Sequence, residues 1–171
     1  MSMVNIRLAN LDDAKQMSQV HARTWKVAYK GIFAQSYLNQ LPDTAWEESF
    51  KRGIQAKKSL FLVAEVDHQI VGCITGGRTR WTDEEKGEIY SLYVLPEYQH
   101  QGIGKSLVIT ILESLYCQYN SVYVLAVDRN TKARRFYECL GFKDTGQIKK
   151  SELHGAVFSN CLYEKMKKVN Y

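Results

Sequence analysis

The stretch "LPEYQHQGIGKSLV" (95–108) sets Gln99-x-x-Gly102-x-Gly104 ahead of a run with helical periodicity, with the acid Glu88 shortly before it. A glycine loop that opens a helix suits phosphate binding, because backbone N–H groups converge there and the helix dipole favours negative charge. Gly104-Lys105-Ser106 looks like the tail of an ATP-binding loop, yet Gln99 stands where that motif needs its first glycine. The dinucleotide fingerprint fails as well, since Leu107 occupies its third glycine position. Two readings stay open from the residues alone: a phosphate cradle of another kind, or a turn that merely starts a helix.

The elements that must carry this loop follow from periodicity. Val4 to Ala9 alternates as a short strand, and a helix follows with Asn10 or Asp12 as its cap and Gly31 as its stop. A second helical stretch runs from about Gln35 to Gln55, interrupted near Leu41-Pro42, with Asp43 or Thr44 to cap its second piece. The period then changes from near 3.6 to near 2. "LFLVAEV" (60–66) and "QIVGCIT" (69–75) flank Asp67-His68 as a hairpin, and Gly76-Gly77 weakens or bends the second strand. "GEIYSLYVL" (87–95) is a third strand ended by Pro96, and Gly102 to Gln118 is an amphipathic helix. "SVYVLAV" (121–127) is a buried strand, followed by a helix capped by Asn130 or Thr131 and closed by Gly141. Phe142 to Lys149 and Ala156 to Lys165 are the final strands around Leu153-His154-Gly155. This order predicts an α+β fold whose sheet is mostly antiparallel, with one βαβ crossover at the Gly loop.

Composition bounds the function. A chain of 171 residues with 45% hydrophobic and 24% charged content is expected to form a single domain, residues 1–171, of a soluble globular protein. No apolar run approaches a membrane span, and Met1 to Leu11 lacks a signal-peptide core, so a cytoplasmic location is expected. Cys73, Cys117, Cys139 and Cys161 lack metal-ligand spacing and read as reduced thiols. The net charge of +5 is spread over short clusters, without the concentrated stripe that nucleic acid requires. A small polyanionic ligand suits it better.

"LYVLPEYQHQGIGKSL" (92–107) resembles the acetyl-coenzyme A signature of the GCN5-related N-acetyltransferases (GNAT family), and "DRNTKARRFYECLGF" (128–142) resembles that family's later helix. The element order matches over essentially the whole chain. The resemblance implies a GNAT-like sheet flanked by helices, with acetyl-coenzyme A as acetyl donor and no metal. It places the pyrophosphate over Gln99, Gln101, Gly102, Ile103 and Gly104, with added contacts from Lys105 or Ser106. The chemistry agrees: glycines let the main chain approach a pyrophosphate without a Cβ in the way. His100, where the family usually has arginine, lysine or glycine, reads as an exposed spectator. The resemblance also implies that the strand before the loop splays from its neighbour. Backbone groups of Leu92, Tyr93 and Val94 would then be open to the pantetheine arm, with the Val94 N–H polarising the thioester carbonyl.

Attack by an amine whose pKa is about 10 needs a base at neutral pH. The resemblance offers Glu88 or a water relay; the plainer reading of Glu88 is a charged residue at a strand's wet end. Glu65 and Glu97 are weaker candidates. Tyr137 is implied as the donor to the departing thiolate, against a place in the core stripe Ala133-Phe136-Tyr137-Leu140. Asn130 is both a helix cap and, by resemblance, a contact for the cofactor's arm. "HARTWKVAYKGIFAQSYL" (21–38) resembles the segment that roofs the family's acceptor pocket, although a stripe such as His21, Trp25 and Tyr29 is more often a core face. Trp81 and Tyr90 are candidates for the other wall. The acceptor is then a small-molecule amine or a peptide N-terminus, and the sequence leaves monomer and homodimer open. The competing function is a non-catalytic acyl-coenzyme A sensor or interaction module, which would need neither Glu88 nor Tyr137.

Overall fold

The computed structural model describes residues 3–153 and 155–168; His154, placed by the sequence reading in the last turn, lies outside them. One seven-stranded sheet runs in the order β1-β2-β3-β4-β5-β7-β6, and every neighbouring pair is antiparallel except β4 and β5. The α+β expectation with one parallel crossover is met. The strands are β1 (Asn5–Leu8), β2 (Leu60–Val66), β3 (Gln69–Arg78), β4 (Gly87–Val94), β5 (Ser121–Val127), β6 (Lys143–Leu153) and β7 (Ala156–Met166). The helices are α1 (Ala14–Ala28), α2 (Gln35–Gln40), α3 (Glu47–Ala56), α4 (Ile103–Leu115) and α5 (Thr131–Cys139). No described helix is long and apolar enough to cross a membrane.

Local chemistry explains most boundaries. Asn10 and Asp13 form a reciprocal capping box around a short 3-10 turn, which feeds α1. Asp67 and His68 both take positive φ (48° and 65°), the mirror-image turn that a two-residue hairpin favours. The expected cap of α3 is absent: Trp46, not Asp43 or Thr44, precedes it and makes no side-chain cap bond. Ser18 Oγ instead donates to the Asp43 carbonyl and accepts from the Trp46 N–H, so tertiary contacts fix that turn. The strand β3 is irregular at Gly76, as expected, with a bulge opposite β4, but it continues past Thr75 to Arg78. A Cβ at Gly76 would stand 2.7 Å from the Glu88 carbonyl oxygen, so the glycine permits β4 to close on β3.

The core lies on both faces of β2–β5. Met17 and Val20 of α1 cover one face, and Leu107, Val108, Ile111 and Leu115 of α4 cover the other. Those α4 positions match its predicted apolar stripe.

Candidate active site

The parallel pair that frames the crossover is short. Between β4 and β5 only Gly87–Val122, Glu88–Tyr123 and Ile89–Val124 are paired, so the strands part beyond Ile89. Antiparallel alternation decides which groups this leaves open. The Leu95 N–H donates to the Val71 carbonyl at 2.8 Å, so Leu95, Tyr93 and Ser91 turn their main chain toward β3. Leu92 and Val94 turn theirs toward the gap. The expectation for Tyr93 is corrected accordingly: its backbone belongs to the β3 ladder, and its hydroxyl accepts from Trp25 Nε1 at 2.8 Å.

At the end of β4 the chain makes a 3-10 turn over Pro96–Tyr98 and enters the Gly loop. His100 (φ 59°) and Gly102 (φ 82°) both take left-handed conformations, and alternation of this kind points successive N–H groups into one concavity. Only glycine adopts such a φ at little cost, which accounts for Gly102. No side chain caps α4 at its N-terminus, so the N–H groups of its first turn stay available to an anion. The Gln99 and Gln101 side chains are turned back on the chain: Gln99 Nε2 donates to the Val94 carbonyl (2.9 Å) and Gln101 Nε2 to the Glu97 carbonyl (3.1 Å). Lys105 and Ser106 are exposed beside the loop, and His100 is exposed as expected.

A cavity of about 470 Å³ fills the gap between the parted strands. Glu88, Leu92, Tyr93, Asn130 and Tyr137 all line it, whereas the Gly loop lies outside its lining. The Asn130 side-chain oxygen caps α5 by accepting from the Ala133 N–H at 3.2 Å. Tyr137 is buried, and the loss of solvent, with a smaller contribution from Tyr29, raises its phenol well above the ordinary value. It stays a protonated donor. Among the described residues no hydrogen bond engages its hydroxyl.

Glu88 is buried too, at 1% exposure, so the wet-end reading fails. Its Oε1 accepts from Arg80 Nη2 (2.6 Å), Arg80 Nε (3.2 Å) and Trp81 Nε1 (3.0 Å), and its Oε2 accepts from the Arg80 backbone N–H (2.8 Å). One oxygen is saturated and the other carries a single donor. Arg80 escaped the sequence reading, for a lone arginine in a loop has no periodic signal. Of the weaker acids, Glu65 pairs with Arg7 and Glu97 with Arg23, and neither lines the cavity.

The helical stripe divides. Trp25 and Tyr29 line the cavity, as do Trp81 and Tyr90 on the opposite wall. His21 does not; it is stacked between Trp46 (3.8 Å) and Tyr93 (4.2 Å). Burial lowers its pKa to about 3, and neither ring nitrogen finds a partner among the described residues. Ser151, Phe158 and Asn160 of the β6–β7 hairpin complete the lining, a contribution that strand alternation alone did not reveal.

A parted parallel pair with an anion-ready loop at its end is the arrangement the sequence resemblance calls for. Residues 24–142 match the sequence model of the acetyltransferase (GNAT) family. The chain belongs to that family. It is 31% identical over 130 residues to the uncharacterized N-acetyltransferase YuaI of Bacillus subtilis (strain 168), covering 75% of this chain and 74% of the relative. It is 29% identical over 111 residues to a spermidine N(1)-acetyltransferase of Thermoplasma acidophilum, covering 62% of this chain and 66% of that one. The crystal structure of the PaiA N-acetyltransferase of Thermoplasma acidophilum, in complex with coenzyme A, superposes with a TM-score of 0.76 at 24% identity. That superposition covers 96% of this chain and 99% of the other and establishes the shared GNAT fold. This GNAT protein is an acetyl-coenzyme A-dependent N-acetyltransferase.

Proposed function

We propose that the enzyme acetylates a primary amine by direct attack within a ternary complex, with Glu88 and Tyr137 serving the two proton transfers. The observation that carries this is their convergence: an acid on β4 and a tyrosine on α5 line one cavity along the open edge of β4. Acetyl-coenzyme A supplies the acetyl group as a thioester, and the chain's own groups fit it. The uncapped first turn of α4, with Gly102 in its left-handed conformation, suits the pyrophosphate. Exposed Lys105 adds positive charge, and the Ser106 hydroxyl a donor. The open main-chain groups of Leu92 and the open N–H of Val94 suit an amide-bearing arm that adds to β4 like a strand.

The Val94 N–H then polarises the carbonyl, a fixed donor where negative charge develops. That N–H shares its peptide plane with the Tyr93 carbonyl, which turns into the β3 ladder, and this pairing fixes the plane and with it the aim of the N–H. Asn130 uses its oxygen as a helix cap and keeps its amide N–H groups for the arm. Oε2 of Glu88, with one donor, retains a lone pair for the proton the amine must lose, directly or through a water. The Tyr137 hydroxyl gives a proton to the departing sulfur.

Glu88→Gln tests the base. The substitution should flatten the acid limb of the kcat/KM–pH profile with little change in acetyl-coenzyme A affinity. An unchanged profile with a verified acceptor would leave Glu88 as the anchor of Arg80 and Trp81 and no more.

A further inference from the structure

On the acetyl-transfer reading of the cavity, its walls also select the acceptor. Among the described residues, Arg80 and Glu88 are the charged ones of the lining, and they pair with each other at 2.6 Å. Among the described residues no unmatched carboxylate faces the space. Everything else is neutral, and much of it is aromatic: Trp25, Tyr29, Phe33, Trp81, Tyr90 and Phe158 come from four separate parts of the chain. Phe33 and Phe158 meet edge-on at 5.2 Å, which bridges the α1 side to the β6–β7 hairpin. Trp25 lies parallel to Phe33 at 5.6 Å, and the Arg80 guanidinium sits 4.1 Å from the centre of the Tyr90 ring.

A polyamine fits these walls badly. Each of its amino groups has a pKa of about 10, so it brings at least one ammonium beyond the one that reacts. An unpaired charge taken from water is costly, and the lone carboxylate already holds Arg80. The chain's net charge of +5 gives no long-range attraction to a polycation either. An aromatic body meets the opposite situation, because its rings gain apolar contact and edge or offset stacking at such walls. Its single ammonium is accommodated by aromatic faces and by the free lone pair of Glu88. We infer that the acceptor is a small primary monoamine on an aromatic body, an arylalkylamine.

Thiol release measured with 2-phenylethylamine, spermidine and a peptide with a free N-terminal alanine tests this. The kcat/KM for 2-phenylethylamine should exceed that for spermidine by at least about tenfold. Phe158→Leu should raise the KM for 2-phenylethylamine about fivefold to tenfold and leave the KM for acetyl-coenzyme A unchanged. Ser151→Asp gives a second arm that does not depend on that ring. Its new carboxylate still accepts from Asn160 Nδ2, which now reaches Ser151 Oγ at 2.9 Å, and it should shift the preference toward spermidine. Highest kcat/KM for spermidine or the peptide, or an unaltered KM in Phe158→Leu, would overturn the aromatic assignment alone. Transfer to none of the three would overturn the acetyl-transfer reading of the cavity and this acceptor with it.

Discussion

A phenol kept protonated by burial donates over the whole usable pH range, and Tyr137 is such a phenol. On the proposed mechanism it serves a thiol with a reference pKa of about 8.5, which would depart with moderate help. Tyr137→Phe should therefore lower kcat by roughly ten- to a thousandfold while the Kd for acetyl-coenzyme A stays put. Wild-type turnover in that variant would leave only a core aromatic. The place of Tyr137 in the cavity lining was legible because its motif is local, whereas that of Arg80 was not, since its link to Glu88 exists only once the chain turns back on itself. His21 shows another limit. Spacing placed it on one helical face with Trp25 and Tyr29, but no periodicity separates a cavity wall from a ring stack a turn away. That stack has a consequence for pH. With a folded pKa of about 3 against an ordinary 6.5, the unfolded chain binds a proton that the native state refuses. The contribution of His21 to stability is thus complete above the ordinary value and is lost as pH falls toward the folded one. Between pH 6.5 and 4.5 the loss amounts to about 2–3 kcal/mol, and His21→Phe should remove that slope from urea-unfolding free energies. An equal acid slope in the variant would assign it to the carboxylates.

Among the elements, the loop before α4 separates two glycines that a motif treats alike. Gly102 has open space around it but φ of 82°, whereas a Cβ on Gly104 would meet Phe136 at an ordinary 3.4 Å. Gly102→Ala should cost about 1–2 kcal/mol of stability from backbone conformation alone. Gly104→Ala should keep the wild-type melting temperature and lose acetyl-coenzyme A affinity, because its added methyl obstructs only the ligand. Calorimetric melting beside a binding titration checks both, and unchanged affinity in a folded Gly104→Ala protein would count against the pyrophosphate site. The glycines were visible in the sequence; their different duties required φ and neighbours. The helices α4 and α5 were equally visible, since their stripes and the Asn130 cap are local signals. The extent of β3 was not, because Gly76-Gly77 disfavours a strand in isolation and only contact with β4 explains it. The strand β6 likewise runs on to Leu153, past the Lys149 expected, as its partner β7 supplies the pairing.

For the molecule as a whole, binding acts on stability by mass action. Acetyl-coenzyme A at a hundredfold excess over its Kd should stabilise the native state by about 2.7 kcal/mol. For a chain of 171 residues that is a rise of about 5–10 °C in Tm, and ATP with magnesium should give none. An equal shift with ATP would contradict the reading of the Gly loop. The global arrangement was the part least open to local reasoning: the element order could be read, but the place of β7 between β5 and β6 is a fact of long-range pairing. That pairing is uneven. Seven residue pairs join β3 to β4 and seven join β5 to β7, but three join β4 to β5. In mechanical terms the sheet is two stiff plates held by a short weld, and a load across the strands concentrates there. A guest bonded to both sides of that seam would work as a rivet, so on the proposed binding mode the molecule the enzyme consumes would also stiffen it, and each turnover would remove and renew part of its own framework.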